Sequence, residues 1–184
     1  MEFDLLGWPA EGPTLRLDYR RFSYAGKFVM SNTGKAVVSE PESATTGDDS
    51  EREEEIVAAA AFDADRTDDS TLRIRYVTVR EDRRGEGIGS RLLRTVCECA
   101  ADRGFETVKI AVNNPFAYEA AVKAGFGYTG QRTGIAERVM AWPCDDRSEQ
   151  YSAGLESYRE RDLLPGERTF LDERDGVPTI VEPL

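Results

Sequence analysis

Arg83-Arg84-Gly85-Glu86-Gly87-Ile88-Gly89-Ser90 packs three glycines and two arginines into eight residues. The run before it, Ile74 to Val79, is apolar and strand-like. After it, Ile88, Leu92, Leu93, Val96, Cys97 and Ala100 recur at helical spacing. The stretch is therefore a strand-to-helix junction. Three glycines at alternate positions leave about one turn of backbone without side chains, so N–H groups can converge on an anion and the positive end of the helix dipole adds to the attraction. Arg84 supplies a formal cation at the rim. A phosphate or pyrophosphate held by main chain suits this pattern. A plain turn whose glycines only permit positive φ is the competing reading, but it leaves the third glycine and the arginine unexplained. A dinucleotide fingerprint needs Gly-x-Gly-x-x-Gly, and counted from Gly85 the third glycine falls one residue early. A P-loop needs Gly-Lys-Ser/Thr, and no lysine lies near.

Outward from this junction the chain reads as strands in short runs separated by single helices. The first dozen residues form an irregular lead-in, and Leu15–Leu17 is a short strand candidate. Asp18 is placed to cap a helix carrying Phe22, Ala25, Val29 and Met30, although Gly26 leaves an all-strand reading of 14–38 open. Ala36–Val38 is a strand. Residues 40–55 are acidic and lack large apolar groups, the composition of a mobile loop. Strands follow at 56–62 and 71–80, joined by a polar turn, and Val108, Ile110 and Val112 alternate as a further strand. Asn114 and Pro115 are suited to cap and start a second helix, which Gly125 ends. Strands at 126–131 and 135–142 complete the body. Tyr151, Leu155, Tyr158 and Leu163 then mark an appended amphipathic helix, with a shorter one from Pro165 to Glu173.

Composition narrows the classes. The chain of 184 residues is long enough for one full core, and it has no run of eighteen apolar residues to span a membrane. Its amino terminus lacks the basic start and apolar stretch of a signal peptide, so a soluble cytoplasmic protein is expected. There is no histidine, and Cys97, Cys99 and Cys144 make no Cys-x-x-Cys pair, which argues against a metal site and against Ser/His or Cys/His nucleophiles. The net charge of −11 is uneven. Residues 40–55 carry −7 and residues 145–184 carry −6, while the rest is nearly balanced. An anionic ligand meets no repulsive wall at the glycine loop, and nucleic acid finds no basic stripe. Arginine outnumbers lysine twenty to four. With the acidic surplus this resembles proteins of salt-accumulating archaea; a GC-rich genome with one acidic loop is the alternative.

With this order of elements, the chain resembles the GNAT superfamily of N-acetyltransferases, which bind acetyl-coenzyme A. Arg84, Gly87 and Gly89 match the family pattern Arg/Gln-x-x-Gly-x-Gly/Ala. Asn114, Ala117, Gly125 and Phe126 match a second, Asn-x-x-Ala ending in Gly-Phe. Both lie in register within residues 55–142. The resemblance implies a mixed α/β (α+β) fold whose mostly antiparallel sheet of about seven strands is flanked by helices, with a domain over 1–144 and a helical tail over 145–184. It also implies that N–H groups of Arg84, Gly85, Glu86, Gly87, Ile88, Gly89 and Ser90 hold the pyrophosphate. Val77 and Val79 would pair with the pantetheine arm where their strand splays from the next, and Asn114 would contact the cofactor near the opening.

The family's catalytic side chains are not where the resemblance puts them. Many members place a tyrosine seven residues after the asparagine as acid for the departing thiolate, and here that position is Ala121. Tyr118, one turn earlier, is the candidate in its place; a core aromatic is the competing reading. Some relatives carry a glutamate five residues before the asparagine, and here Lys109 stands there. The strand Thr71–Val79 has no carboxylate, and Glu81 and Asp82 beyond it read as solvated loop acids. Arg20, Arg21, Lys27 and Lys35 put positive charge near the region where the family selects acceptors, which hints at an acidic group there; solvated surface charge is the plainer reading. The expected function is acetyl transfer from acetyl-coenzyme A to a primary amine of a small molecule or protein, without metal, nucleic acid or membrane. A non-catalytic acyl-coenzyme A sensor is the alternative, and an interaction protein using the acidic segments is a third. For the tail, packing or a homodimer contact is the expectation.

Overall fold

The nine-residue run Ile56–Ala64 explains the centre of the molecule, because it is apolar on both faces and rich in alanine. A strand covered on both sides reads as a continuous apolar run, and the small side chains let a helix lie close. In the computed structural model, which describes residues 1–10, 12–40, 55–134 and 137–184, this run is β3 of a seven-stranded sheet. The strands are β1 (Glu2–Gly7), β2 (Gly34–Ser39), β3 (Ile56–Ala64), β4 (Thr71–Val79), β5 (Thr107–Val112), β6 (Gly127–Thr133) and β7 (Glu137–Trp142). Their spatial order is β1-β2-β3-β4-β5-β7-β6, antiparallel throughout except between β4 and β5. That parallel pair needs a crossover, and α1 (Ile88–Asp102) supplies it. Three more α-helices are present among the described residues: α2 (Pro115–Lys123), α3 (Arg147–Arg159) and α4 (Pro165–Asp172). The mixed, mostly antiparallel α/β architecture expected from the sequence is the one the chain adopts.

One core lies between the sheet and the helices. The α1 stripe Ile88, Leu92, Leu93, Val96, Cys97 and Ala100 packs there on Ala58, Ala60, Phe62, Leu72 and Ile74. Tyr151, Leu155 and Tyr158 of α3 and Leu171 of α4 belong to the same core, so the acidic tail is built into the body. A smaller core on the opposite face joins Val37, Ile56, Ala59 and Ala61 to Leu15, Phe22, Ala25 and Phe28.

The amino-terminal third differs from expectation. Glu2–Gly7 is a strand rather than a lead-in, with alternating burial that its Phe3 and Leu5 already encode. Leu15–Leu17 is not a strand, although Leu15 N–H donates to Phe28 O at 3.0 Å. The helix expected after Asp18 is replaced by turns and one 3₁₀ turn at Ala25–Lys27. Asp18 does cap a first turn, its carboxylate accepting from Arg20 N–H at 2.9 Å, but Tyr24 at φ 60° stops the chain from continuing as a helix. The buried Phe22, Ala25 and Phe28 recur every three residues, the repeat of 3₁₀ geometry, while Val29 and Met30 are exposed. Of the acidic segment 40–55 only Glu40 and Glu55 are described, so the loop expected there lies outside the described residues, as does Ile135 at the start of the last expected strand.

Candidate functional site

The site begins with a phase slip in β4. Leu72 and Ile74 face the main core, yet so do Val77 and Val79, which breaks strict alternation. The cause is a bulge: Ile74 pairs with Phe62 and Tyr76 with Ala61, leaving Arg75 as an extra residue. A bulge bends its strand and increases the local twist, and the separation of strands starts at this position. β4 pairs with β5 only from Thr71↔Thr107 to Ile74↔Ile110. Beyond Ile74, β4 stays on β3 while β5 stays on β7, so a wedge opens between them. At about 3.3 Å per residue the wedge is roughly 16 Å deep from Val79 to Ile74.

Backbone parity decides what faces the wedge. Arg80 N–H donates to Val57 O at 2.8 Å. In an antiparallel ladder, alternate residues turn both polar groups to the same neighbour. Thr78 and Tyr76 therefore bond to β3, and Val77 and Val79 present N–H and C=O to the open side.

At the mouth stand Gly85 and Gly87, at φ 87° and 78°, and then α1. Gly87 is the N-cap residue of α1 and offers no side-chain cap. The first intrahelical bond is Arg91 N–H to Gly87 O, so the N–H groups of Ile88, Gly89 and Ser90 have no acceptor within the helix. Gly89 lets the helix approach the strand, since a Cβ there would lie 3.2 Å from a Val79 methyl. Arg84 lies across this corner, with Nε 3.3 Å from Val79 O and a terminal nitrogen 2.9 Å from Ser23 Oγ. Ser23 carried no signal in the sequence. The Glu86 carboxylate is held by Arg83 at 2.9 and 3.0 Å, and this bonding lowers its pKa. Arg83 also bonds Glu40, and Arg80 bonds Glu40 and Asp82. The loop's own acid is thereby neutralised, and its α1 end remains electropositive.

The opposite rim is the turn between β5 and α2. Asn114, in extended geometry, caps α2 through Oδ1, which accepts from Ala117 N–H at 2.8 Å, and Pro115 starts the helix as expected. Its Nδ2 donates to Asn113 Oδ1 at 3.0 Å.

Tyr118 is not at the wedge. It is fully buried, and its hydroxyl donates to the carbonyls of Gln150 and Tyr151 at 3.0 and 3.2 Å. Its ring stacks on Tyr151 and meets Tyr158 edge-on. Gly154 makes the room, because any Cβ there would collide with the Tyr118 ring. Burial pushes its phenol far above the ordinary range. The expectation of a general acid at Tyr118 is corrected to that of a core aromatic keyed into α3. Asp82 accepts from Arg80 Nε at 2.8 Å, which lowers its pKa and weakens it as a base. Glu81 is exposed beside Asp82, and with Arg20 and Arg21 they line a shallow cleft. Lys27 stands 6.0 Å from the centre of the half-buried Tyr76 ring. Lys35 is not a surface charge. It is buried, with Nζ donating to Met30 O, Thr33 O and Thr33 Oγ1 at 2.7–2.8 Å, and desolvation lowers its pKa.

With a wedge flanked by a glycine loop on one side and an Asn-capped helix on the other, comparison with known proteins decides the family. The profile of the acetyltransferase (GNAT) family matches residues 8–126. The chain belongs to the GNAT family.

Among solved structures, similar folds include a candidate N-acetyltransferase from Lactobacillus plantarum (20% identity, 67% of this chain and 80% of that chain, TM-score 0.48). Others are a GCN5-related N-acetyltransferase from Kribbella flavida (18%, 61% and 68%, 0.46) and a Bacillus subtilis acetyltransferase in complex with CoA (18%, 59% and 76%, 0.44). No curated protein matches. Among the described residues, no group of three or more His, Cys, Asp or Glu side chains gathers to hold a metal, and no helix is long and apolar enough to cross a membrane.

Proposed function

We propose that this GNAT protein transfers an acetyl group from acetyl-coenzyme A to a primary amine by direct attack on the thioester. The observation that carries the reading is the open edge of β4, where Val77 and Val79 turn backbone groups away from β3 with no strand beside them, directly behind the uncapped start of α1; the Val79 carbonyl meets only the Arg84 side chain. In this account the N–H groups of residues 84–90 hold the pyrophosphate, with Arg84 as the nearby cation. The pantetheine arm completes the ladder along Val77 and Val79, and Asn114 borders the opening. The arm would run inward along this wedge toward the bulge at Arg75.

Acetyl-coenzyme A supplies an activated acyl group. The amine nitrogen bonds to the acetyl carbon, the C–S bond breaks, sulfur leaves as thiolate, and the surplus nitrogen proton passes to water. A thiolate is a fair leaving group, with thiol pKa near 8.5, so an acid at the Ala121 position is dispensable. Because β4 carries no carboxylate, the rate rests on positioning and on backbone stabilisation of the oxyanion. The burial of Tyr118 favours a second reading, an acyl-coenzyme A sensor without turnover. Thiol release from acetyl-coenzyme A across a panel of amines separates the two. Acceptor-dependent release supports transfer, whereas tight binding with no release for any amine sinks it. The acidic composition and three free thiols suit a salt-rich, reducing cytoplasm as the setting.

A further inference from the structure

Two tail residues reach the rim of the wedge. Tyr158, on α3, is fully buried and donates its hydroxyl to Val112 O at 3.1 Å. Arg161, just beyond α3, donates to Asn113 O at 2.7 Å. Val112 makes the last ladder pair of β5, with Arg138, so the Asn113 carbonyl lies past the sheet and takes its partner from the tail. These two residues lead directly into Asn114.

Both donors are themselves held. Two guanidiniums lie over the Tyr158 ring, Arg138 at 4.2 Å and Arg161 at 4.9 Å from its centre. Arg138 in turn donates to Ser157 Oγ at 2.9 Å. Arg161 also bonds Glu167 at 2.9 Å, and Glu167 is buried and accepts from Leu164 N–H at 3.0 Å, fixing the start of α4. A continuous set of bonds thus runs from α4 through Arg161 and Tyr158 to the backbone that presents Asn114.

We propose that Tyr158 and Arg161 are positioning residues for the coenzyme A site: by clamping the Val112 and Asn113 carbonyls they set the Asn114 turn, so the acidic tail forms part of the cofactor slot. This rests on the reading of the wedge as that slot. A packed tail with no such part would stabilise the fold equally at Arg159, which bonds Leu171 O and Glu156 and does not touch the turn.

The test compares Y158F, R161K, R159A and G87E with the natural chain by calorimetric titration of coenzyme A and by amide exchange without ligand. Y158F keeps the ring and removes only the hydroxyl, so the fold is retained. R161K keeps the charge and loses the simultaneous grip on Asn113 and Glu167. Y158F and R161K are expected to weaken coenzyme A about three- to tenfold, the worth of one net hydrogen bond, and to speed exchange at the Ala117 and Tyr118 amides that bond to Asn114. R159A is expected to change neither. Natural affinity and natural exchange in Y158F and R161K, with G87E failing to bind, would overturn the positioning role and leave the site reading intact. Equal weakening by R159A would overturn it as well, since tail stability alone would then explain the loss. No binding by the natural chain would overturn both the role and the reading.

Discussion

At Asn114 the cap and the proposed ligand contact separate chemically. Asn114→Ala removes the acceptor for Ala117 N–H and should cost about 1 kcal/mol of stability, read by denaturant unfolding. Asn114→Asp keeps that acceptor but brings a negative charge to the rim, so it should hold stability and weaken coenzyme A. Equal affinity for the aspartate variant would confine Asn114 to capping. A second residue gives a pH signature. The Asp65 carboxylate accepts from Thr67 N–H and hydroxyl and bonds Arg73, which together hold its pKa well below the ordinary range. A carboxyl depressed by folding stabilises fully above its unfolded pKa of about 3.9, and that contribution is lost as pH falls through the folded value. Asp65→Asn should therefore lower Tm at pH 7, with the gap to the natural chain narrowing as pH drops below about 4. A gap that is constant with pH would contradict this. Asn114 was legible in the sequence because its partner is three residues away. Tyr118 was not, since its partners Gln150, Tyr151 and Gly154 come from a distant helix, and the burial of Lys35 likewise arises only when the 30–33 turn folds onto β2.

The junction of β4 and α1 is the element on which the site depends. Its strand and helix were readable from periodicity, and the bulge left a trace in the order Leu72, Ile74, Val77, Val79, where the apolar positions change phase at Arg75. The turns at 18–30 were unreadable for the opposite reason. Spacing of three to four apolar residues fits a helix and a string of 3₁₀ turns alike, and only the left-handed Tyr24 and the small core under Phe22 and Phe28 decide between them. The close approach of α1 to β4 leaves no room for a larger residue at position 89. Gly89→Leu inserts a side chain where a single Cβ already meets Val79 at 3.2 Å. Overpacking of this kind costs about 1–3 kcal/mol, so the unfolding midpoint in denaturant should fall and coenzyme A affinity should fall with it. An unchanged midpoint would mean that helix and strand are not in close contact.

Across the whole molecule, the acidic tail and the sheet share one core, so the packing role expected of the tail takes place within the body. The charge shift after Trp142 suggested an appendage, yet Tyr151, Leu155, Tyr158 and Leu171 cover Tyr118 and the inner face of the sheet. A chain ending at residue 144 should therefore lose cooperative unfolding and expose apolar surface, measured by a melting scan with a hydrophobic dye; a truncated chain with natural Tm would make the tail an independent unit. In the proposed function the glycine loop and the open edge of β4 together hold coenzyme A. Calorimetric titration of coenzyme A into the natural chain, Gly87→Ala and Gly87→Glu reads this out. Both substitutions strain a residue at φ 78°, but only glutamate places a carboxylate at the start of α1. One saturable site is expected in the natural chain, weaker binding in the alanine variant and none in the glutamate variant; natural affinity in Gly87→Glu would mean that the loop does not hold coenzyme A.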